Sequence, residues 1–108
     1  MPTQEEVAQI FPEMVERFQP QKAGDMNTTI FFDLSGDNGG QYWVKIADGG
    51  AEHGTGTVTA DMTVRSSADD FYDLVNGDLN PMNAVMFGQV KVSDVGIGMK
   101  MMNIFNLG

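Results

Sequence analysis

One histidine, His53, and no cysteine limit the nucleophilic and metal chemistry open to this chain. Without a thiol there is no thiolate ligand, no disulfide and no cysteine nucleophile. A two-histidine metal motif is impossible. Any histidine acid–base site has to use His53, which lies in "GGAEHGTG", among glycines that turn a hairpin. It reads as a surface histidine without a task. Asp69 and Asp70 form a carboxylate pair, but they follow Ser66 and Ser67 at the start of a helical pattern, where acids serve the helix dipole. "DNGG" and "GDLN" place carboxylates near glycines without the later bidentate glutamate of a calcium loop. "GIG" at Gly96–Gly98 lacks the third glycine of a dinucleotide fingerprint. Asn27-Thr28-Thr29 matches a glycosylation sequon, and reads as chance in a chain with no signal-peptide charge pattern. These residues converge on no reaction, so neither enzyme activity nor a metal or cofactor is expected.

The residue type that recurs with a pattern is methionine, present nine times. In "VGIGMKMMNIF", Val95 to Phe105, a helical wheel gathers Ile97, Met101, Met102, Ile104 and Phe105 within an arc of about 160°. Lys100 and Asn103 lie opposite, and Met99 falls outside the arc. Met82 and Met86 repeat this chemistry on a preceding helix, and Met62 on a strand. Methionine is flexible and polarisable and adapts to variable apolar partners, whereas a core that must be unique prefers Leu, Ile and Val. From the residues alone, these methionines are either ordinary core filler or the wall of an adaptable apolar cavity.

The elements that would position them follow from periodicity. "TQEEVAQIFPEMVERF" carries Val7, Ile10, Phe11, Met14 and Phe18 at helical spacing, with Thr3 and Glu6 as a capping box. Pro12 is expected to kink that helix or to start a second one. "QPQKAGDMN" reads as a loop. "TTIFFDL" and "QYWVKIA" alternate as strands, "AEH" is a short strand, and "TVTADMTVR" is the clearest strand, with Val58, Ala60, Met62 and Val64 inward. Short turns make these an antiparallel meander. Ser66-Ser67 then opens a helix with Phe71, Leu74 and Val75 as its buried stripe, ended by Gly77. Asn80 and Pro81 start a second, presenting Met82, Val85 and Met86. "QVKVS" is a last strand, and Asp94 caps the closing helix. The order predicts an α+β domain whose sheet is packed by helices on one face.

The length of 108 residues and 42% hydrophobic content predict one folded domain over 1–108. A net charge of −9 repels the phosphates of nucleic acid and the headgroups of an anionic membrane. No apolar run reaches the ~20 residues of a transmembrane segment, and the cytoplasm is the expected compartment.

"DMTVRSSADDFYDLVNGDLNPMNAVMFGQVKVSDVGIGMKMMNIF" resembles the sterol carrier protein-2 (SCP2) domain. The resemblance rests on the ordered set Asp61–Val64, Phe71–Val75, Gly77-Asp78-Leu79, Pro81, Ala84, Gly88, Val90-Lys91-Val92 and Met99–Phe105. "IFFDLSGDNGGQYWVKIADGG" occupies the place of that family's first hairpin. The resemblance implies a five-stranded, mainly antiparallel sheet covered on one face by four to five helices, with an apolar tunnel between the layers. It also implies non-catalytic carriage of a fatty acid, sterol or related apolar ligand. The expected wall is Phe32, Met62, Phe71, Leu74, Met82, Met86, Met101, Met102 and Phe105, with the helix from Val95 as a movable lid. A second reading is an accessory domain that docks on a lipid-metabolising enzyme through its C-terminal Met-rich helix. Transient membrane or enzyme contact is compatible with both. An isomerase-like catalyst would need a buried carboxylate, and Asp33 and Asp61 both read as outward-facing.

Overall fold

Thr3 starts the first helix. Its hydroxyl accepts from the Glu6 N–H at 3.1 Å, and the Glu6 carboxylate accepts from the Thr3 N–H at 3.0 Å, which completes the capping box. Helix α1 then runs from Gln4 to Glu16, straight through Pro12, as one element rather than two. Pro12 leaves the Ala8 carbonyl without its helical donor. Val7, Ile10, Phe11 and Met14 are all buried on one side, and their packing carries the helix across that gap. The computed structural model describes residues 1–106. Leu107 and Gly108, the end of the single domain expected over 1–108, lie outside the described residues.

The segment read as a loop contains one helical turn, α2 (Pro20–Ala23). Pro20 stands at its first position, where a fixed φ favours a helix and the missing N–H costs nothing. Strands β1 (Thr28–Ser35), β2 (Gly40–Ala47) and β3 (Gly50–Thr55) then form an antiparallel meander. The β2–β3 turn is dictated locally. Asp48 and Gly49 both have positive φ, 54° and 74°, the two-residue turn that Asp-Gly favours because it matches strand twist.

The fourth strand departs from expectation in two ways. β4 begins only at Met62 and ends at Ser67, and it pairs parallel with β1, not with β3. Residues 56–61 instead carry the chain from the β3 edge to the far side of β1. Their arrival is fixed by two hydrogen bonds, Asp61 N–H to the Thr29 carbonyl and Thr29 N–H to Asp61 Oδ2, each 2.8 Å. The period-two pattern of "TVTAD" is thus that of an extended crossing segment with no ladder partner. Helices α3 (Ala68–Val75) and α4 (Pro81–Met86), strand β5 (Val90–Val92) and helix α5 (Val95–Ile104) complete the chain. β5 pairs antiparallel with β4, and the sheet order is β3-β2-β1-β4-β5, mixed and open.

The register decides which residues share a face. Ile30, Phe32 and Leu34 of β1 align with Val44, Tyr42 and Gly40 of β2, and with Met62, Val64 and Ser66 of β4. This face is buried, with α1 against β2 and β3 and α3 against β1 and β4. At its centre Phe11 stacks on Tyr42 with ring centres 4.3 Å apart, and Phe32 meets Phe11 and Phe71 at 5.1 and 5.4 Å. The opposite face carries Thr29, Phe31, Trp43, Lys45 and Arg65. There Trp43 lies across Gly54, and a Cβ at Gly54 would collide with the indole.

Candidate functional site

The last third of the chain leaves part of the helix-covered face unfilled. Ser67 Oγ accepts from the Asp70 N–H at 3.1 Å and starts α3 so that Phe71 and Leu74 face the sheet. Gly77, with φ of 82°, ends it in a Schellman turn, Asp78 N–H donating to the Asp73 carbonyl at 2.8 Å. Asn80 Oδ1 accepts from the Asn83 N–H at 3.1 Å, and Pro81 begins α4. Ala84 is the one residue that α4 buries. The side that presents Met82, Val85 and Met86 stands open, with the three 63%, 39% and 71% exposed. A six-residue helix held down by one alanine cannot bring its larger side chains into the core.

Asp94 Oδ1 accepts from the Ile97 N–H at 3.0 Å and starts α5. The far end of α5 is anchored. The Ile104 carbonyl accepts from the Gln19 N–H at 2.9 Å, Asn103 Oδ1 accepts from Lys22 Nζ at 3.3 Å, and the Phe105 ring packs 5.6 Å from Phe18. Its first turns direct Val95 and Met99 to solvent, 56% and 60% exposed, while Ile97 packs on the core and Ser93, just before them, exchanges two hydrogen bonds with Thr63.

Between α3, α4, α5 and the β4–β5 edge lies a cleft of about 360 Å³. Phe71 and Leu74 form its back, Val64, Val90 and Val92 its floor. Pro81, Met82, Val85 and Met86 line one lip, and Val95, Gly98, Met99, Met101 and Met102 the other. No lining side chain carries a charge or a hydrogen-bonding group. By contrast, a depression of about 250 Å³ between α1 and α3 is walled by Glu6, Gln9, Glu13 and Arg17. Glu6 there is held below the usual carboxylate range, chiefly by the Thr3 backbone N–H.

Of the nine residues expected on an apolar wall, the structure brings six together in the cleft: Phe71, Leu74, Met82, Met86, Met101 and Met102. Phe32, Met62 and Phe105 lie outside the lining, fully buried in the core. Phe32 sits under α1 and α3, and Phe105 on the anchored end of α5. Met62 is one layer behind the wall, its Sδ 3.9 Å from where a Cβ on Gly98 would be. Sequence reasoning left eight lining residues off the expected wall, the floor valines Val64, Val90 and Val92 and the mouth residue Met99 among them. Met99 falls off the buried arc of α5 because it borders the cleft's mouth rather than the sheet.

The carboxylates nearest a catalytic role stand elsewhere. Asp33 faces Arg65 at 3.6 Å on the opposite side of the sheet, and Asp61 is occupied by the Thr29 N–H. His53 is exposed on the β3 edge. Among the described residues no three His, Cys, Asp or Glu side chains gather as a metal site. Among them, too, no helix is long and apolar enough to cross a membrane.

The cleft is uncharged and lies beneath a Met-rich closing helix on a β3-β2-β1-β4-β5 sheet. Residues 11–106 match the SCP-2 sterol transfer family. The chain belongs to that family. Membership implies an apolar, lipid-like ligand. Solved SCP-2 structures share the fold. Palmitated SCP2L2 from Aedes aegypti superposes with a TM-score of 0.72 at 16% identity, over 94% of this chain and 92% of that one. The sec-alkylsulfatase Pisa1 from Pseudomonas sp. contains the same fold, with a TM-score of 0.73 at 22% identity over 91% of this chain and 15% of that one. In sequence, hydroxysteroid dehydrogenase-like protein 2 from Bos taurus is 31% identical over 78 residues, 69% of this chain and 19% of that protein. This SCP-2 chain spans only 12% to 19% of the curated relatives it matches.

Proposed function

We propose that this SCP-2 domain, residues 1–108, binds and carries a lipid without transforming it, holding the hydrocarbon chain in the cleft between α3, α4 and α5. The observation that carries this reading is the cleft's wall, apolar at every lining residue. Phe71, Leu74, Met82, Met86, Met101 and Met102 would touch the ligand, with Phe32, Met62 and Phe105 as the packed layer behind them. Burying about twelve methylenes at ~0.8 kcal/mol each gives roughly 10 kcal/mol gross. Lost translational and chain freedom offsets about 4 kcal/mol or more, so these methylenes alone give a Kd of tens of micromolar or weaker, and tighter binding needs a longer chain or a headgroup contact. A sealed, dry void of about 360 Å³ would cost roughly 9 kcal/mol, close to the whole stability of a small domain. An open mouth lined by methionines avoids that cost, and ligand binding would close it into the tunnel. The first turns of α5 are the moving part, with Gly96 and Gly98 as the hinge and the Ile104 end held by Gln19.

The test is twofold. Denaturing the purified protein and extracting with solvent should release lipid in near-stoichiometric amount. A Met102→Trp variant, which fills the cleft, should weaken uptake of a fluorescent fatty acid more than it lowers Tm. Equal loss of both would assign Met102 to plain packing.

The relatives favour a second reading. A chain that matches less than a fifth of hydroxysteroid dehydrogenase-like protein 2 and of an alkylsulfatase has the size of an accessory unit beside an enzyme. The Met-rich helix α5 would then dock on that enzyme. A mass that grows with concentration or with added enzyme, without extractable lipid, would favour docking over carriage.

A further inference from the structure

Arg65 of β4 and Lys91 of β5 stand directly opposite each other in the antiparallel register, on the sheet face away from the helix-covered core. Like charges so placed destabilise a strand pair. In a chain of fifteen acids and six cations, an acid beside each cation is the ordinary arrangement, and two cations side by side are not. Among the described residues one ion pair forms, Arg65 with Asp33 of β1 at 3.6 Å, longer than a hydrogen bond. Lys91 has no acid partner among them. β5 is only three residues long, and this repulsion weakens its one ladder.

Both cations open on a cavity of about 350 Å³ at the ends of β1 and β4, with Asp33, Ser35, Ser67 and Gln89 also on its wall. The Ser67 hydroxyl accepts from the Asp70 N–H and keeps its own proton to donate. A guanidinium, an ammonium, a hydroxyl and an amide therefore line one hollow that holds a single carboxylate.

We infer that this hollow binds the phosphate group of a small, freely diffusing molecule. Arginine presents a planar fork of N–H donors matched to a phosphate edge, and lysine adds a point charge. A phosphate group offers three strong acceptor oxygens, enough for both cations and the Ser67 hydroxyl at once. Asp33 already supplies a carboxylate, and it leaves Lys91 unmatched. A phosphate between the two cations turns their repulsion into attraction and ties β5 to β4. The net charge of −9 opposes a polyanion at long range, whereas a small anion is read locally, within a Debye length of about 8 Å at physiological salt.

The site goes beyond the lipid reading and does not depend on it. Strand alternation turns Val64, Val90 and Val92 into the cleft and Arg65 and Lys91 to the other side of the sheet. The sheet thus separates the phosphate site from the head of any lipid held in the cleft.

The experiment titrates the whole chain with inorganic phosphate at ionic strength held constant with sodium chloride, and follows the backbone amides by NMR. The Arg65, Ser67 and Lys91 amides should shift along a saturable curve. Lys91→Gln should weaken the phosphate affinity about tenfold, the loss of one charge-assisted hydrogen bond. Lys91→Glu, which sets a carboxylate opposite Arg65, should abolish the saturable shifts. Shifts that stay linear in phosphate, or that sodium chloride alone reproduces, overturn the inference, as does either variant titrating like wild type. Protein saturated beforehand with a fluorescent fatty acid should give the same phosphate curve. Competition between the two would place the phosphate in the lipid cleft and overturn the inference as well. A saturable phosphate curve in protein that takes up no fatty acid would uphold this site and sink the carrier reading alone.

Discussion

Phe32 and Met86 are both apolar and both were expected on the same wall, yet they occupy opposite situations. Phe32 is fully buried among the Phe11 and Phe71 rings, and Met86 is 71% exposed at the lip of the cleft. Phe32→Ala should therefore cost about 3–5 kcal/mol in denaturant unfolding, with ligand affinity falling only as the fold does. Met86→Gln should leave stability within about 0.5 kcal/mol, as surface changes do. It should weaken fatty-acid binding measurably, because it places an amide against hydrocarbon. The alternation of "TTIFFDL" was enough to place Phe32 inward. Nothing in a six-residue helix pattern could say that Met82 and Met86 face a mouth instead of the core, since periodicity fixes a face and not what covers it.

Helices here are delimited by short-range chemistry, and their ends were legible for that reason. Thr3, Ser67, Asn80 and Asp94 each accept from the backbone N–H three residues on, as their residue types predict. Thr3→Ala should cost about 1 kcal/mol. The Glu6 carboxyl is held low by the Thr3 N–H, so what its charge contributes is present above the ordinary glutamate range and lost as pH falls through its depressed value. Glu6→Gln should accordingly flatten the acid side of the stability–pH profile, followed by thermal melts. On α5, a Cβ at Gly98 would meet Val92 and Met62 at 3.8 and 3.9 Å, ordinary contact. Gly98→Ala should stabilise α5 by up to about 1 kcal/mol. If the first half of α5 bends there to admit lipid, stopped-flow displacement of a bound fluorescent fatty acid should slow in the same variant.

At the scale of the molecule, a ligand that binds only the folded form adds stability through its free concentration. Fatty acid at about 100 times its Kd should contribute about 2.7 kcal/mol. For a domain near 100 residues that is a rise in Tm of roughly 10 °C or more. Calorimetry with and without the fatty acid checks this, and a Tm that does not move would argue against the cleft as its site. The order of helices and strands was readable along the chain, but the placing of β4 was not. The Thr57–Asp61 stretch alternates as a strand would and still makes no ladder, because its path is set by where β4 finds a partner beside β1.

By itself the sequence determined what local chemistry can determine: the capped helices, the Asp-Gly hairpin, the alternating faces of β1, β2 and β4, and a surplus of adaptable apolar side chains. Only the tertiary structure decided the β3-β2-β1-β4-β5 order, the burial of Phe105 against Phe18, and the gap between α4 and α5 that groups five methionines with aliphatic and aromatic partners from separate elements. Strand order and unfilled space depend on which distant surfaces meet, and pairings across the chain leave no period in it to read.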